Sequence, residues 1–185
     1  MKLSEQKVLI TGGSSGIGLA LAKKFLEHNN TVIITGRNLS KLEKVKQENP
    51  KIHIYQSDVS DDAEVRMLAD DIQQKFDGLD ILINNAGIMN MVDTGNESND
   101  LQKQMQEIEI NYNSPIRVLH YFLPLLKKSK KFLFKNNSLN CFLSISLIMS
   151  LFLTKSTGSS CIEANVIDNM PKPQHGSNHT PLPSS

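Results

Sequence analysis

Thr11-Gly12-Gly13-Ser14-Ser15-Gly16-Ile17-Gly18 follows the apolar run Lys7-Val8-Leu9-Ile10 and precedes Leu19-Ala20-Leu21-Ala22-Lys23-Lys24-Phe25-Leu26, which has a helical pattern. The succession reads as a strand, a glycine turn and a helix N-terminus. Glycines suit a backbone that must turn tightly and then pass close to a ligand, because a residue without Cβ does both without steric cost. A helix N-terminus leaves four N–H donors unpaired and carries the positive end of the helix dipole, so the matching ligand is an anion, typically a phosphate. The spacing G-x-x-x-G-x-G is one residue longer than the common dinucleotide fingerprint; it supports nucleotide binding without naming an enzyme class.

The octet resembles the TGxxxGxG cofactor motif of short-chain dehydrogenases/reductases. A second motif agrees: Asn84-Asn85-Ala86-Gly87, after the apolar run Leu79-Asp80-Ile81-Leu82-Ile83, is similar to the family's NNAG, which closes the fourth strand beside the cofactor. The resemblance covers residues 5 to 127 and then fades. It implies an NAD(P)-dependent oxidoreductase acting on a carbonyl or alcohol, with Gly12, Ser14, Ser15, Gly16, Ile17 and Gly18 around the pyrophosphate and Asn85, Ala86 and Gly87 near the nicotinamide.

A chain of 185 residues with 39% apolar content suits one soluble domain. Its 20 basic and 19 acidic residues give a net charge of +1, so no global field recruits nucleic acid or an anionic membrane. Cys141 and Cys161 lack metal-ligand spacing and no metal is expected; the N-terminus has no apolar leader region, and a cytoplasmic location is expected.

After the first helix, Thr31-Val32-Ile33-Ile34-Thr35 is a β-branched run suited to a buried parallel strand. Gly36-Arg37-Asn38 follows, where an NAD enzyme places an acid on the ribose 2′-OH. Arg37 reverses that charge and can pair with a 2′-phosphate, so NADP(H) is favoured over NAD(H); the alternative is a solvated loop residue. Leu39, Leu42 and Val45 mark an amphipathic helix ending at Asn49-Pro50, and Ile52 to Tyr55 alternates as a third strand. Asp58 and Val59 come next, where family members use an Asp and its neighbour against the adenine. Asp58 equally suits the N-cap of the helix expected from Ala63 to Phe76. These alternations predict an α/β Rossmann-type doubly wound parallel sheet with strand order beginning 3-2-1-4, reduced here to its first four or five strands. The four loops at Gly12–Gly18, Arg37, Asp58 and Asn85 should meet at the switch point.

Leu101, Met105 and Ile108 share one helical face before Ile110-Asn111-Tyr112-Asn113-Ser114-Pro115-Ile116 interrupts the pattern. This segment resembles the family's fourth helix, in which an asparagine kinks the helix and holds a water of the proton relay. Asn111 is the match and the catalytic candidate, its other reading being a polar residue that merely disturbs the helix.

The family's Tyr-x-x-x-Lys is absent: four residues beyond Tyr55, Tyr112 and Tyr121 stand Val59, Ile116 and Leu125. Laying Lys131 to Ser138 on the family's fifth strand puts Ser138 at the catalytic serine and Lys155 at the lysine, with Leu151 in the tyrosine position, which leaves no general acid. Leu139 to Leu153 is shorter than a membrane span and reads as core; the other reading is a shortened anchor. Residues 154–185 are rich in Ser, Pro, Asn, Gly and Thr and are expected to form a disordered tail after a domain of residues 1–153. The shift in composition near Ser129 suggests a truncated or alternatively spliced product. A family-type homo-oligomer is therefore not expected, and a non-catalytic nucleotide- or partner-binding fragment is the alternative to an active enzyme.

Overall fold

The computed structural model describes residues 4–89, 101–129 and 133–136. Its five strands are β1 (Lys7–Thr11), β2 (Thr31–Gly36), β3 (His53–Gln56), β4 (Ile81–Asn84) and β5 (Leu133–Asn136). They form one sheet in the order β3-β2-β1-β4-β5, and every neighbouring pair is parallel. The expected 3-2-1-4 order is present, and β5 extends it beside β4 with Asn84 opposite Asn136. Ser138, Leu151 and Lys155, the apolar segment 139–153, and the tail 154–185 lie outside the described residues.

The continuous apolar runs of β1 and β2 arise because both faces of a parallel sheet are covered. Side chains alternate across the sheet. Val8, Ile10, Val32, Ile34, Ile81 and Ile83 pack with Ala22 of α1 (Gly16–Glu27) and with Leu42 and Val45 of α2 (Leu39–Glu48). Leu9, Ile33 and Leu82 face the other way. They meet Val65, Leu68 and Ile72 of α3 (Asp62–Phe76) and Val118, Phe122 and Leu126 of α5 (Ser114–Lys128). The hydrophobic transfer of these side chains, about 25 cal/mol per Å² removed from water, joins helices and sheet.

Strand bounds shift where side chains are used otherwise. Ile52 stands one residue before β3, and Leu79 and Asp80 precede β4. Asp80 latches the base of the sheet instead: its carboxylate accepts from Lys7 N at 2.8 Å and from Ser129 Oγ at 2.5 Å. α3 begins at Asp62 behind the N-cap Asp61, whose side chain accepts from Glu64 N. Asp58 is thus not the cap, because its own carboxylate closes a local turn on Ser60 N and Oγ.

The expected interruption of the fourth helix is a π-helical turn, Glu109–Asn113, between α4 (Leu101–Ile108) and α5. Pro115 sits in the first turn of α5 and, lacking an N–H, donates nothing back into the preceding π turn. No described helix is long and apolar enough to cross a membrane.

His53 stacks edge-on against Phe76, with ring centroids 5.0 Å apart. Burial, with help from Lys46 and Lys75, holds its pKa below the ordinary 6.5. The fold therefore favours neutral imidazole, and the resulting stability is present above pH 6.5 and lost as pH falls through the lower folded-state value. Thermal melts between pH 7.5 and 5 should show a fall in melting temperature on the acid side assignable to this group. His53→Phe should remove that component; a melting profile with the same pH dependence as the unsubstituted chain would refute the assignment.

Candidate functional site

The C-terminal ends of β1, β2, β3 and β4 lead into the four segments singled out in the sequence, and the fold brings them to one end of the sheet. Beyond β1, Gly12 adopts a φ of +66°, and a Cβ there would stand 2.9 Å from Ala86 Cα. Gly18, in the first turn of α1, is tighter. A Cβ on it would lie 2.4 Å from the Gly12 carbonyl oxygen and 2.5 Å from the Asn85 amide nitrogen. These two positions exclude a side chain for steric reasons alone.

The loop after β4 is fastened to β1 by polar contacts. Thr11 Oγ1 accepts from both Asn85 N and Ala86 N at 3.0 Å, and Asn85 Nδ2 donates to the carbonyls of Thr11 and Gly12 at 3.1 and 3.3 Å. Asn84 points the other way and its buried amide donates to the Pro115 carbonyl, seating α5 on β4. Thr11 and Asn84 thus organise the site, although sequence reasoning used them only as motif letters.

Ser15 is the N-cap of α1 but makes no side-chain capping bond, and the first turn contains no acidic residue. Ser15, Gly16 and Ile17 are exposed there, and Ser14 is half-buried beside Gly36. Uncapped N–H groups and the helix dipole meet in a first turn that carries no carboxylate of its own, the arrangement that holds phosphate. Two buried hydroxyls at the same end of the sheet, Thr35 Oγ1 at the end of β2 and Ser57 Oγ after β3, have no partner among the described residues.

Past β2, the exposed Arg37 guanidinium lies 4.0 Å from Asp58 Oδ2, a loose pair. Gln56 Nε2 donates to the Arg37 carbonyl at 3.1 Å and steadies that loop. Asn38 caps α2, accepting from Lys41 N at 2.9 Å, so its side-chain oxygen is engaged. Val59 is buried, and its carbonyl accepts from Arg117 Nη1 at 3.0 Å.

Asn111 occupies the middle of the π turn. Its Oδ1 accepts from Ile88 N at 2.9 Å and its Nδ2 donates to Ile88 O at 2.6 Å, so one amide clamps the backbone one residue beyond Gly87. Beside it, Glu109 is held below the usual carboxylate range by hydrogen bonds from Asn113 and then Arg117. On the outer surface of α3 and α5, Tyr121 donates to Asp62 at 2.6 Å, and that bond raises the phenol's pKa.

A parallel sheet in the order β3-β2-β1-β4-β5, with a glycine turn feeding a helix without a side-chain cap at its switch point, defines the dinucleotide-fold class of α/β proteins. Residues 6–132 match the short chain dehydrogenase family, and the chain belongs to that family. It is 41% identical over 128 residues to the uncharacterized oxidoreductase DltE of Bacillus subtilis, covering 69% of this chain and 51% of that protein. It is 32% identical over 114 residues to 3beta-hydroxysteroid dehydrogenase 2 of Eggerthella lenta, covering 59% of this chain and 44% of that protein. Among solved structures, a short chain dehydrogenase of Shigella flexneri in complex with NADP is 26% identical with a TM-score of 0.66, over 73% of this chain and 59% of that one. The chain spans about half the length, or less, of the curated relatives it matches.

Gly18→Ala tests the crowding directly. Forcing one methyl against the Gly12 carbonyl should cost on the order of 1–3 kcal/mol in urea unfolding, and nucleotide should no longer raise the melting temperature. Gly12→Val should give the same double loss. Unchanged stability in Gly18→Ala would show that α1 does not approach β1 this closely.

Proposed function

We propose that this chain binds NADP(H) in preference to NAD(H) and serves the oxidoreduction of a small carbonyl or alcohol substrate. The observation that carries the reading is the uncapped, acid-free N-terminus of α1 facing the same crevice as Arg37, Asp58 and Asn85. Main-chain N–H groups from Ser14 to Gly18 would hold the pyrophosphate, with Gly12 giving the turn its close approach. Arg37 would pair with a 2′-phosphate, and its loose contact with Asp58 leaves the guanidinium able to turn toward one. Asp58 and Val59 would border the adenine, and Asn38 would contribute its main chain. Asn85, Ala86 and Gly87 would line the nicotinamide side. Bound NADP(H) supplies or accepts the hydride; the described residues bind it, orient it and screen it.

Asn111 is proposed as the described residue of the proton relay, since its amide clamps Ile88 beside Gly87. The NADP complex of the Shigella flexneri neighbour supports the cofactor class. A second reading, a nucleotide-binding chain without turnover, is favoured by the tyrosines: none of Tyr55, Tyr112 and Tyr121 has a lysine four residues on.

Titration calorimetry of the unmodified chain should give a tighter dissociation constant for NADPH than for NADH by about tenfold, the scale of a hydrogen-bonded charge at a partly exposed site. Arg37→Ala should abolish the difference; equal affinities in the unmodified chain would sink the preference. Turnover is tested by following NADPH oxidation with aldehydes, ketones and quinones. Absence of a Tyr-x-x-x-Lys from the sequence should depress the rate by about 10²–10⁴-fold relative to typical reductases. An ordinary rate that Asn111→Ala reduces would place this chain among active enzymes.

A further inference from the structure

Arg117 lies on α5, 58 positions along the chain from the turn that follows β3, yet its guanidinium reaches three separate segments. Nη1 donates to the Val59 carbonyl at 3.0 Å, Nη2 donates to Glu109 Oε1 at 2.7 Å, and Nε stands 3.6 Å from Asp62 Oδ1. The Arg117 side chain is only 21% exposed; of its carboxylate partners Glu109 is 34% and Asp62 67% exposed, so the contacts to Val59 and Glu109 are the sheltered ones. A planar fork of fixed geometry can serve three acceptors in this way; a lysine ammonium on a flexible stem cannot.

The Val59 carbonyl has no other protein partner among the described residues. The rest of that turn is held from the opposite side: Asp58 N donates to Glu64 Oε2, Asp61 N to the Asp58 carbonyl, and Ser60 N to Asp58 Oδ1. All of those partners lie in the turn itself or in α3. Arg117 is therefore the hydrogen-bond link from the main chain of this turn to α5 and the π turn, beside the Tyr121–Asp62 bond and the packing of Val59 in one cluster with Val118 and Leu119. Through Glu109 the same guanidinium grips the first residue of the π turn, whose Asn111 clamps Ile88 beyond β4. One cation joins the loop after β3 to the loop after β4.

We propose that Arg117 is a positioning residue for the adenine end of the bound dinucleotide, acting by holding the peptide of Val59 in the orientation the base requires. The inference rests on the nucleotide-binding reading above. Its consequence is selective. Loss of Arg117 weakens ligands that carry adenine, while the pyrophosphate cradle at Gly12–Gly18, built on β1 and α1, keeps its geometry.

The probes are 2′,5′-ADP and inorganic pyrophosphate, each titrated calorimetrically into the full chain, Arg117→Met and Arg117→Lys. Arg117→Met should bind 2′,5′-ADP about tenfold more weakly and pyrophosphate unchanged. Arg117→Lys, which restores the charge without the fork, should recover only part of the loss. Hydrogen exchange at Ser60 and Asp61, whose N–H groups donate within the turn, should quicken in both variants. That last measurement moves even if nucleotide affinity is too low to compare, and circular dichroism confirms that each variant folds. Equal loss of both ligands, or slow exchange retained at Ser60 and Asp61, would overturn the positioning role and leave the nucleotide site standing. No 2′,5′-ADP binding by the unmodified chain would overturn both readings.

Discussion

Where α1 crosses the end of β1 there is no volume for a methyl group: a carbon added to Gly18 would meet the Gly12 carbonyl at 2.4 Å. That contact sets the distance between the first strand and first helix, and the amide of Asn85 fills what space is left. Because Asn85 belongs to the loop after β4, the approach of α1 to β1 also decides where that loop can sit. Thr11 completes the arrangement by taking two main-chain donors on a single oxygen. The crevice thus has its walls fixed by backbone contact, with side chains of little bulk, and its floor is the apolar sheet.

The helix dipole gains its use from the same geometry. An N-cap serine that makes no capping bond leaves N–H groups directed outward, at some cost to the isolated helix. An unsatisfied helix end is tolerated where an external acceptor takes the place of the cap. Asn38 and Asp61 show the contrast, since each accepts from an N–H in the first turn of the helix it begins.

Strand order and the convergence of four loops were legible because they follow from local features: β-branched runs, a glycine turn and helical periodicity. Strand ends were less so. Leu79 and Asp80 continue an apolar run, yet Asp80 is drawn to Lys7 and Ser129, a contact between distant segments. Asp58 carried two readings in the sequence, and the side-chain bond from Ser60 with the cap at Asp61 separates them. Arg117 left no trace at all. An arginine on an amphipathic helix resembles any solvated charge until the fold brings the Val59 carbonyl to it. The position of Asn111 was foreseen as a disturbance of the helix; that its amide would be spent on both main-chain groups of Ile88 depends on a turn of five residues that no periodicity announces.

That turn also acts as a phase shifter. In an α-helix each residue advances the azimuth by about 100°, and a π turn accommodates one residue more than an α turn, so what lies beyond it is rotated relative to what lies before. Asn111 faces the loop after β4, while Val118, Phe122 and Leu126 face the sheet. A single deletion between Glu109 and Asn113 would restore regular winding, but it would force a choice between those two faces. The helix therefore carries a rule about length as well as composition: a change in residue count here breaks the register between the crevice and the core.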